Sequence, residues 1–337
     1  MPAALQQQVH HEVVRTKERS GWPCRKTLLA LGIAPRSYYR WRRERSWEQE
    51  SAPKPVPPYE ATLEEKQKVL AYAREHPGLR HRTLAWRMVD EDVVCVSAST
   101  VYRILRENQL VCPWRRRTKR YRATWEQAAR PDERWATDLM YVQVQGVTYY
   151  WIGFLDEYSR MIVHWDLLSS MDGHSVSLAA QAAIDQLRPD AEQEPRVMPE
   201  IRSDNGSGYV SKEFRGVMRE NGLGHQRIRP HCPEENGLME RANRTLREEL
   251  DGEAMTTYWQ ARDVLARVIR RYNHERLHSA LGYLRPIDYY RGDPARLHAE
   301  RRVKLAAARH HRREANLKLR QATLPFADPA GVANCDA

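Results

Sequence analysis

The stretch that organises this chain opens as Ser203-Asp204-Asn205-Gly206 and closes as Glu235-Asn236-Gly237-Leu238-Met239-Glu240, with 35 residues between Asp204 and Glu240. A short apolar lead-in predicts a strand that ends at Asp204, and Glu240 falls early in a run with helical periodicity. A third carboxylate, Asp138, lies upstream in Trp135-Ala136-Thr137-Asp138. Three separated carboxylates brought together are what a two-metal phosphoryl-transfer site requires, because Mg²⁺ prefers hard oxygen ligands.

Length and composition indicate a globular protein of two or three units. The chain has 337 residues, of which 41% are hydrophobic and 29% are charged, and it contains no long apolar run. We expect neither a signal peptide nor a membrane span. The five cysteines are scattered without a Cys-x-x-Cys pair, so no disulfide framework or zinc site is indicated. A reducing cytoplasm is the expected location.

The net charge is divided along the chain. The total is +11, with +12 on residues 1–122, −7 on residues 123–250 and +6 on residues 251–337. Basic flanks attract a polyanion such as DNA through counterion release, whereas an acidic centre repels phosphate unless metal ions neutralise it. A basic surface that only keeps the protein hydrated is the alternative, but it does not explain the segregation.

The first basic region, residues 1–50, contains a candidate helix-turn-helix. Residues 26–41 have the pattern of a helix, a Gly-containing turn and a second helix. This pattern leaves Arg36 and Arg40 exposed for DNA, and a helical hairpin with hydrated arginines is the alternative. Prolines over residues 51–61 predict a semi-rigid linker. The predicted core residues are Leu28, Leu31, Ile33, Tyr38 and Trp41.

Residues 62–122 predict a second helix-turn-helix domain. Helical patterns cover residues 62–75, 82–88 and 97–106, and a β-like Val93–Val96 precedes the third helix. Because Ser97 is a good N-cap, the third helix is predicted to present Ser99, Thr100 and Arg103 to DNA. A basic segment between aromatic residues follows and predicts phosphate contacts, with a hydrated linker as the alternative. Its candidate DNA-binding residues are Arg115, Arg116, Arg117, Lys119 and Arg120.

Residues 123–250 have the pattern of an α/β domain. Strands come first and then alternate with helices, which indicates a sheet with catalytic groups near its strand ends. Asp138 is predicted to share one strand face with Met140 and Val142, on a strand that is largely buried. The predicted strands are residues 135–142, 147–155, 161–165, 201–204 and 226–228, and the predicted helices are residues 175–187 and 211–221.

The helix that closes this domain carries the third carboxylate. Glu240, Arg244 and Arg247 recur at spacings of three and four, so Glu240 can face the two aspartates while the arginines hold DNA phosphates. Asn236 is a further candidate DNA contact. An ordinary Glu–Arg surface pair is the alternative for Glu240 taken alone. The predicted apolar stripe of this helix is Met239, Ala242, Leu246 and Leu250.

Taken together, these motifs resemble a known family. Residues 135–250 resemble the retroviral-integrase-like catalytic core of DDE transposases, and the whole chain is similar to OrfB-type transposases of the IS3 family. Residues 62–112 resemble the helix-turn-helix domain that precedes such a core. No zinc domain like that of retroviral integrases is visible. The motifs that carry the resemblance are Trp135-Ala136-Thr137-Asp138, Asp156-Glu157-Tyr158-Ser159-Arg160, Ser203-Asp204-Asn205-Gly206 and the run from Glu235 to Arg241.

The resemblance implies an RNase H-like core with a mixed five-stranded sheet, in which Asp138, Asp204 and Glu240 hold two Mg²⁺ or Mn²⁺ ions and no other cofactor binds. It implies end cleavage by water and strand transfer by a DNA 3′-hydroxyl, on double-stranded terminal repeats and target DNA. A homo-multimer that synapses two ends, an upstream-frame OrfA-type partner or fusion, and a nucleoid-associated bacterial protein are also implied. A catalytically idle DNA-binding derivative of a transposase is the alternative function, and a general nuclease with the same fold is a third, which the flanking helix-turn-helix domains disfavour.

Residues 251–323 predict a C-terminal helical basic region. Residues 258–272 form a helix whose apolar face is predicted to pack on the core. The run from Asn273 to Tyr283, with Pro286, resembles the segment that closes the integrase-like region. Residues 296–320 predict a basic helix suited to DNA or a partner protomer, or alternatively a hydrated helix. We expect disorder over residues 324–337.

Overall fold

The computed structural model describes five stretches of the chain, residues 1–44, 56–111, 128–187, 198–229 and 233–323. They fall into two compact units, one from Met1–Thr62 with His311–Ala337 and one from Leu63–His310. No helix in the described stretches is long and apolar enough to cross a membrane. Two predictions lie outside the described residues: the disorder of residues 324–337 and the basic segment with Arg115, Arg116, Arg117, Lys119 and Arg120.

The secondary structure alternates between all-helical parts and one sheet. The helices are α1 (Ala3–Ser20), α2 (Cys24–Ala30), α3 (Pro35–Glu44), α4 (Leu63–Glu75), α5 (His81–Asp90), α6 (Ala98–Glu107), α7 (Gly173–Leu187), α8 (Lys212–Glu220), α9 (Gly237–Leu250), α10 (Tyr258–His274), α11 (Pro286–Tyr290) and α12 (Pro294–Thr323). The strands are β1 (Arg134–Val144), β2 (Val147–Asp156), β3 (Ile162–Leu168), β4 (Glu200–Ser203) and β5 (His225–Arg227).

Helices α1 to α3 pack together in the first unit. The predicted pair of helices is confirmed as α2 and α3, and Gly32 in the turn between them has a left-handed φ of 71°. Two details differ from the prediction. Helix α1 was not predicted, and Leu31 is 45% exposed because it lies in the turn rather than in the core. The buried apolar residues are Val9, Val13, Leu28, Tyr38 and Trp41.

The described end of the predicted linker, residues 56–61, is bonded to α12 rather than free. The amide of Asn316 donates to the backbone carbonyls of Pro57, Pro58 and Glu60 at 3.2, 3.1 and 2.9 Å. Asn316 is only 2% exposed. A buried amide satisfies its donors in this way because an unpaired polar group would be costly. Residues 57–60 are therefore held by α12, and the linker over residues 51–61 stays a prediction.

Helices α4, α5 and α6 form the second helical part. Ser97 caps α6 as predicted, because its hydroxyl accepts a hydrogen bond from the backbone N–H of Thr100 at 3.3 Å. The predicted strand at Val93–Val96 is absent from this part of the structure. The backbone N–H of Val93 donates to the carbonyl of Met88 at 2.9 Å, so the segment closes the end of α5. Its alternating valines enter the helical core instead of pairing in a sheet.

The strands form one mixed sheet with the order β3-β2-β1-β4-β5. Strands β1, β2 and β3 are antiparallel neighbours, whereas β4 and β5 run parallel to β1. This is the RNase H-like arrangement, and the predicted fold class is confirmed. Strand β1 lies in the middle of the sheet and is hydrogen-bonded to a strand on each side. A functional side chain on β1 is therefore carried by the most protected backbone of the sheet.

Helices cover both faces of the sheet. Helices α9 and α10 pack on the face that carries Met140 and Val142, and α7 and α8 pack on the face that carries Ile152 and Phe154. The predicted packing of α10 on the core is confirmed, so the hydrophobic core continues past residue 250. Strand β1 is largely buried, as predicted, with Tyr141 exposed at 61%.

Arg301 of α12 is a structural residue. It is 3% exposed, and its guanidinium donates to both carboxylate oxygens of Asp90 at 2.7 and 2.6 Å. It also donates to the carbonyls of Gly282 and Tyr283 at 3.0 and 2.7 Å and lies 4.8 Å from the ring centroid of Trp86. This part of the predicted basic helix therefore joins the end of α5 to the turn before α11.

We expect Arg301→Ala to lower the free energy of unfolding by about 3 kcal/mol, because a buried guanidinium and its acceptors lose their partners together. Urea denaturation followed by circular dichroism measures this change. Arg296→Ala is the matched control, since the side chain of Arg296 is 64% exposed and pairs with the exposed Glu300. The control is expected to change stability by less than about 0.5 kcal/mol. Equal effects of the two variants would contradict the structural role.

Candidate active site

The pairing of β1 with β4 brings two of the predicted carboxylates to one level of the sheet. The strands are parallel, with Ala136 opposite Arg202. Two residues further along each strand the chain reaches Asp138 and Asp204, and neighbouring strands lie about 4.8 Å apart. On the other side of β1 the partner of Asp138 is Gly153, which contributes no side chain.

Local hydrogen bonds hold Asp204 just beyond the end of β4. The backbone N–H of Gly206 donates to Oδ1 of Asp204 at 2.8 Å, and the Ser203 hydroxyl donates to the Asp204 carbonyl oxygen at 2.9 Å. Nε2 of His225 lies 2.8 Å from the same hydroxyl oxygen. Because the hydroxyl hydrogen is already used, the imidazole donates from Nε2. Burial lowers the pKa of His225, so this ring is neutral near pH 7.

Helix α9 brings the third carboxylate to the same end of the sheet. Its predicted apolar stripe is confirmed, since Met239, Ala242 and Leu246 pack in the core with β1. Glu240 lies in the first turn of α9 and is exposed. Asn243 is 4% exposed, and its amide donates to Oδ2 of Asp138 at 2.8 Å. This bond is a direct link between α9 and the carboxylate of β1.

Asn243 and Tyr209 were not among the predicted site residues. A signal existed for Asn243, because it follows Glu240 by three residues and so shares its helix face. No local signal existed for Tyr209, whose hydroxyl lies 3.1 Å from Oγ1 of Thr137 inside the protein. The charges of Asp138 and Asp204 act on Tyr209, whose pKa is raised mainly by burial.

The electrostatics of the site centre on Asp138. Burial raises the pKa of Asp138 most, and the charges of Asp204 and Glu240 raise it further, to about 6. A backbone hydrogen bond from Leu139 and the positive charge of Arg247 oppose this rise. Mutual repulsion of neighbouring carboxylates is the behaviour expected of a site that binds a cation.

The carboxylates of Asp138, Asp204 and Glu240 supply the oxygen donors that a divalent metal needs, but they are not close enough together to form a complete set of ligands. In the part of the chain that the structure describes, no group of three or more His, Cys, Asp and Glu is placed to hold a metal ion. Asp204 and Glu240 nevertheless lie within electrostatic reach of Asp138. Carboxylate oxygens suit Mg²⁺, and a bound cation would relieve the repulsion. Metal ligation by these residues stays a prediction.

The predicted DNA-binding residues of α9 have different environments. Arg244 and Arg247 are exposed, and Arg244 pairs with the equally exposed Glu248 at 2.9 Å. Arg247 lies close enough to Asp138 for its charge to lower the pKa of that carboxyl. Asn236 is only 5% exposed, and its Oδ1 has no hydrogen-bond partner. This burial does not favour the predicted DNA contact of Asn236.

The predicted DNA-binding residues of the two helical parts lie on helix surfaces. Arg36 and Arg40 are exposed on α3, and Ser99 and Arg103 are exposed on α6, where Thr100 is half-buried. In α6 the hydroxyls of Ser99 and Thr100 each lie 2.9 Å from the capping hydroxyl. The start of this helix therefore presents a fixed set of polar groups. Contact of these residues with DNA stays a prediction.

The comparison with known families covers the region that holds the carboxylates. The family described as integrase core domain matches residues 128–233, which include Asp138 and Asp204. A second family with the same description matches residues 221–286, which include Glu240. The two matches together span residues 128–286, a stretch that includes the sheet, helix α10 and the segment after it and that we name the integrase core.

The integrase core has relatives in bacterial insertion elements. The chain is 28% identical over 164 residues to the transposase for insertion sequence element IS904 of Lactococcus lactis, which covers 48% of this chain and 62% of that protein. It is 27% identical over 244 residues to an uncharacterized 39.2 kDa protein of insertion element IS476 from Xanthomonas euvesicatoria, covering 71% and 67%. The chain thus spans less than two thirds of the length of the first relative.

Among solved structures, the catalytic core domain of HTLV-2 integrase in complex with magnesium is similar to part of this chain. The sequence identity is 16% and the TM-score is 0.39, with 49% of this chain and 99% of that chain covered.

We expect Asp138→Asn to raise thermal stability above pH 6 in metal-free buffer. The folded pKa of Asp138 is about 6, whereas an unfolded aspartate titrates near 3.9. Wild-type stability therefore falls as the pH rises from about 4 to about 6 and stays lower above it. The amide avoids this cost, which is roughly 2–3 kcal/mol at pH 7.5. It can still accept the hydrogen bond from Asn243.

Thermal melts between pH 4 and pH 8 in EDTA measure this difference. Asp263→Asn is the matched control, because Asp263 is an exposed acid of α10. The control is expected to follow the wild-type profile at every pH. A constant difference between Asp138→Asn and wild type across the whole range would show that the charge of Asp138 is not the cause.

Proposed function

We propose that this protein is the transposase of an insertion element and that it cleaves DNA ends and transfers a DNA strand at a metal-dependent site. The observation that carries the proposal is the placement of Asp138 within reach of the charges of Asp204 and Glu240 in an integrase core domain. The likeness to the transposase for IS904 supports the same assignment. Membership of the IS3 family is the finer form of the proposal.

The protein's own residues would hold the acids and the substrate in place. Asp138, Asp204 and Glu240 would bind Mg²⁺ or Mn²⁺, in the finer form two ions, which supply an activated oxygen nucleophile and neutralise charge on the phosphate when bound. Asn243 fixes the Asp138 carboxylate, and the Gly206 N–H fixes that of Asp204. Water would attack in end cleavage, and a DNA 3′-hydroxyl would attack in strand transfer.

The substrate in this proposal is double-stranded DNA. The basic flanks, +12 before residue 123 and +6 after residue 250, would attract it to the acidic core. Arg244 and Arg247 lie on the helix that carries Glu240, where they can bind phosphates next to the reacting one. Assembly of a homo-multimer on two transposon ends, an upstream-frame partner and action in the bacterial cytoplasm belong to the same proposal.

Asp204→Asn is expected to abolish strand transfer and to leave DNA binding unchanged. The variant loses one carboxylate but can keep the hydrogen bond from Gly206. We expect at least ~10³-fold less product, as is usual when a catalytic acid is replaced. The assay mixes full-length protein, Mg²⁺ and labelled DNA from the inverted repeats that flank the gene, and it separates products on a gel.

Asp263→Asn, the exposed acid of α10, is the matched control and should retain wild-type activity. Full activity of Asp204→Asn would show that the site is misassigned. Wild-type protein that binds the repeats without forming product would favour the catalytically idle DNA-binding protein. Indiscriminate degradation would point to a general nuclease.

Arg103→Ala is expected to weaken binding to the terminal repeat by roughly 1–3 kcal/mol if Arg103 contacts a base. Arg103 is exposed near the start of α6, and its guanidinium donates to Oγ1 of Thr100 at 3.4 Å. Fluorescence anisotropy with repeat and random DNA at one salt concentration measures the effect. Lys68→Ala is the control, because Lys68 is exposed on α4 and pairs with Glu64. Equal losses on repeat and random DNA would remove Arg103 from base recognition.

A further inference from the structure

Two motifs that the proposed catalytic site does not use meet beside the start of β1. One is the turn Asp156-Glu157-Tyr158-Ser159-Arg160 between β2 and β3, and the other is the segment that begins at Asn273. The side chain of Asn273 bonds the residue that starts β3, two positions after this turn, because it accepts a hydrogen bond from the Ile162 N–H at 3.0 Å and donates to the Ile162 carbonyl at 2.9 Å. Both bonds are buried, so the two motifs form one fixed corner.

Arginines from three elements surround this corner. Arg160 comes from the turn, Arg241 from α9 and Arg276 from the segment after α10. The positive charges of all three act on both His278 and Tyr272. The rings of Tyr272 and His278 are in edge-to-face contact, with centroids 4.8 Å apart. We name Arg160, Arg241, Arg276 and His278 the arginine cluster.

The carboxylates next to the arginine cluster form ion pairs with arginines. Glu249 bonds Arg276 at 3.1 Å and is also 3.2 Å from Arg271. Glu157 lies 2.8 and 3.6 Å from two arginines of the sheet that are not in the cluster. Each of these two acids faces two guanidinium groups, although Oε2 of Glu249 is buried without a hydrogen-bond partner. The charges of Glu157 and Asp156 also act on Arg160.

Two buried hydrogen-bond donors of the arginine cluster lack a partner, which indicates that the cluster binds a ligand. Nη1 of Arg160 and Nε2 of His278 are buried and have no hydrogen-bond partner. Arg160 also has a left-handed φ of 65°, a costly conformation for a residue with a side chain. Burial and the three arginines lower the pKa of His278 to about 3, so its ring is neutral and can donate from Nε2. Buried unsatisfied donors on a strained backbone are typical of functional sites.

We propose that the arginine cluster binds a phosphate group and, resting on the proposed function, that this group is a phosphodiester of the bound DNA. Phosphate oxygens accept the forked donors of guanidinium and the N–H of imidazole. The corner also has a suitable position. Asp156 pairs with Trp135, three residues before Asp138 on β1. Trp135 lies about 10 Å along β1 from Asp138, so the turn that carries Arg160 begins on the same part of the sheet as the carboxylates.

Phosphate scanning of the DNA tests the proposal. The probe is terminal-repeat DNA in which one phosphodiester at a time is replaced by a neutral methylphosphonate, bound to the full chain in EDTA. One position is expected to lower wild-type affinity ~10-fold. Arg276→Gln should lower affinity for unmodified DNA by a similar factor and should be insensitive to the modification at that position. Arg276 is replaced because its side chain is 35% exposed.

Arg267→Gln is the matched control for Arg276→Gln. Arg267 is an exposed arginine of α10 that pairs with Glu253 at 2.7 Å. This variant should keep the wild-type affinity and the wild-type response to the methylphosphonate.

Thermal melts with inorganic phosphate give a second measurement that needs no DNA. At constant ionic strength, phosphate should raise the melting temperature of wild type and of Arg267→Gln more than that of Arg276→Gln or His278→Gln. Non-specific stabilisation by phosphate is shared by all four proteins.

The two measurements separate the sources of the phosphate. A response to both supports the DNA phosphodiester, and a response to inorganic phosphate alone supports the phosphate site but overturns its assignment to DNA. No response in either measurement overturns the proposal. Because neither measurement depends on catalysis, this failure is distinct from loss of strand transfer by the wild-type protein.

Discussion

In the integrase core, the parallel pairing of β1 with β4 brings Asp138 on β1 and Asp204, just beyond the end of β4, to the same end of the sheet. The register that places Ala136 opposite Arg202 determines where Asp138 and Asp204 fall. A slip of one residue would turn a carboxylate to the other face of the sheet. The pKa of Asp138, raised to about 6, reflects the resulting burial and repulsion. The apolar stripe of α9, packed on β1, opposes this cost.

Neutral hydrogen-bond donors hold Asp138 and Asp204, whereas the arginine cluster lies at another corner of the sheet. Asn243 and the Gly206 N–H bond the aspartates without cancelling their charge. The guanidinium groups gather instead at the corner formed by Arg160 and the segment after α10. The two aspartates thus keep their negative charge for a cation, while Arg160 and His278 each keep an unpartnered buried donor for an anion. Under the proposed function, the carboxylates would hold metal at the reacting phosphate of the DNA, and the arginine cluster would contact a flanking phosphate.

Basic residues of this chain have unequal roles that their charge alone does not reveal. Arg301 is buried between α5 and the turn before α11, where it bonds Asp90 and two backbone carbonyls. Arg103 on α6 and Arg247 on α9 are exposed and can meet a ligand. The helical part α4–α6 and the integrase core belong to one compact unit, and Arg301 supplies bonds within it. A net charge therefore indicates a class of partner but not the residues that bind it.

The sequence by itself determined most of the helices, though not α1 or α11, the strands around Asp138 and the α/β class, because these follow from local periodicity and turn residues. It also indicated the three acids through their motifs and spacing. Only the tertiary structure decided that Asn243 bonds Asp138, that the charges of both aspartates act on Tyr209 and that Val93–Val96 closes a helix instead of forming a strand. Only the tertiary structure could show the arginine cluster as well, because Arg160 and His278 are more than one hundred residues apart in the sequence. Contacts of this range depend on strand register and helix packing, which local periodicity does not specify.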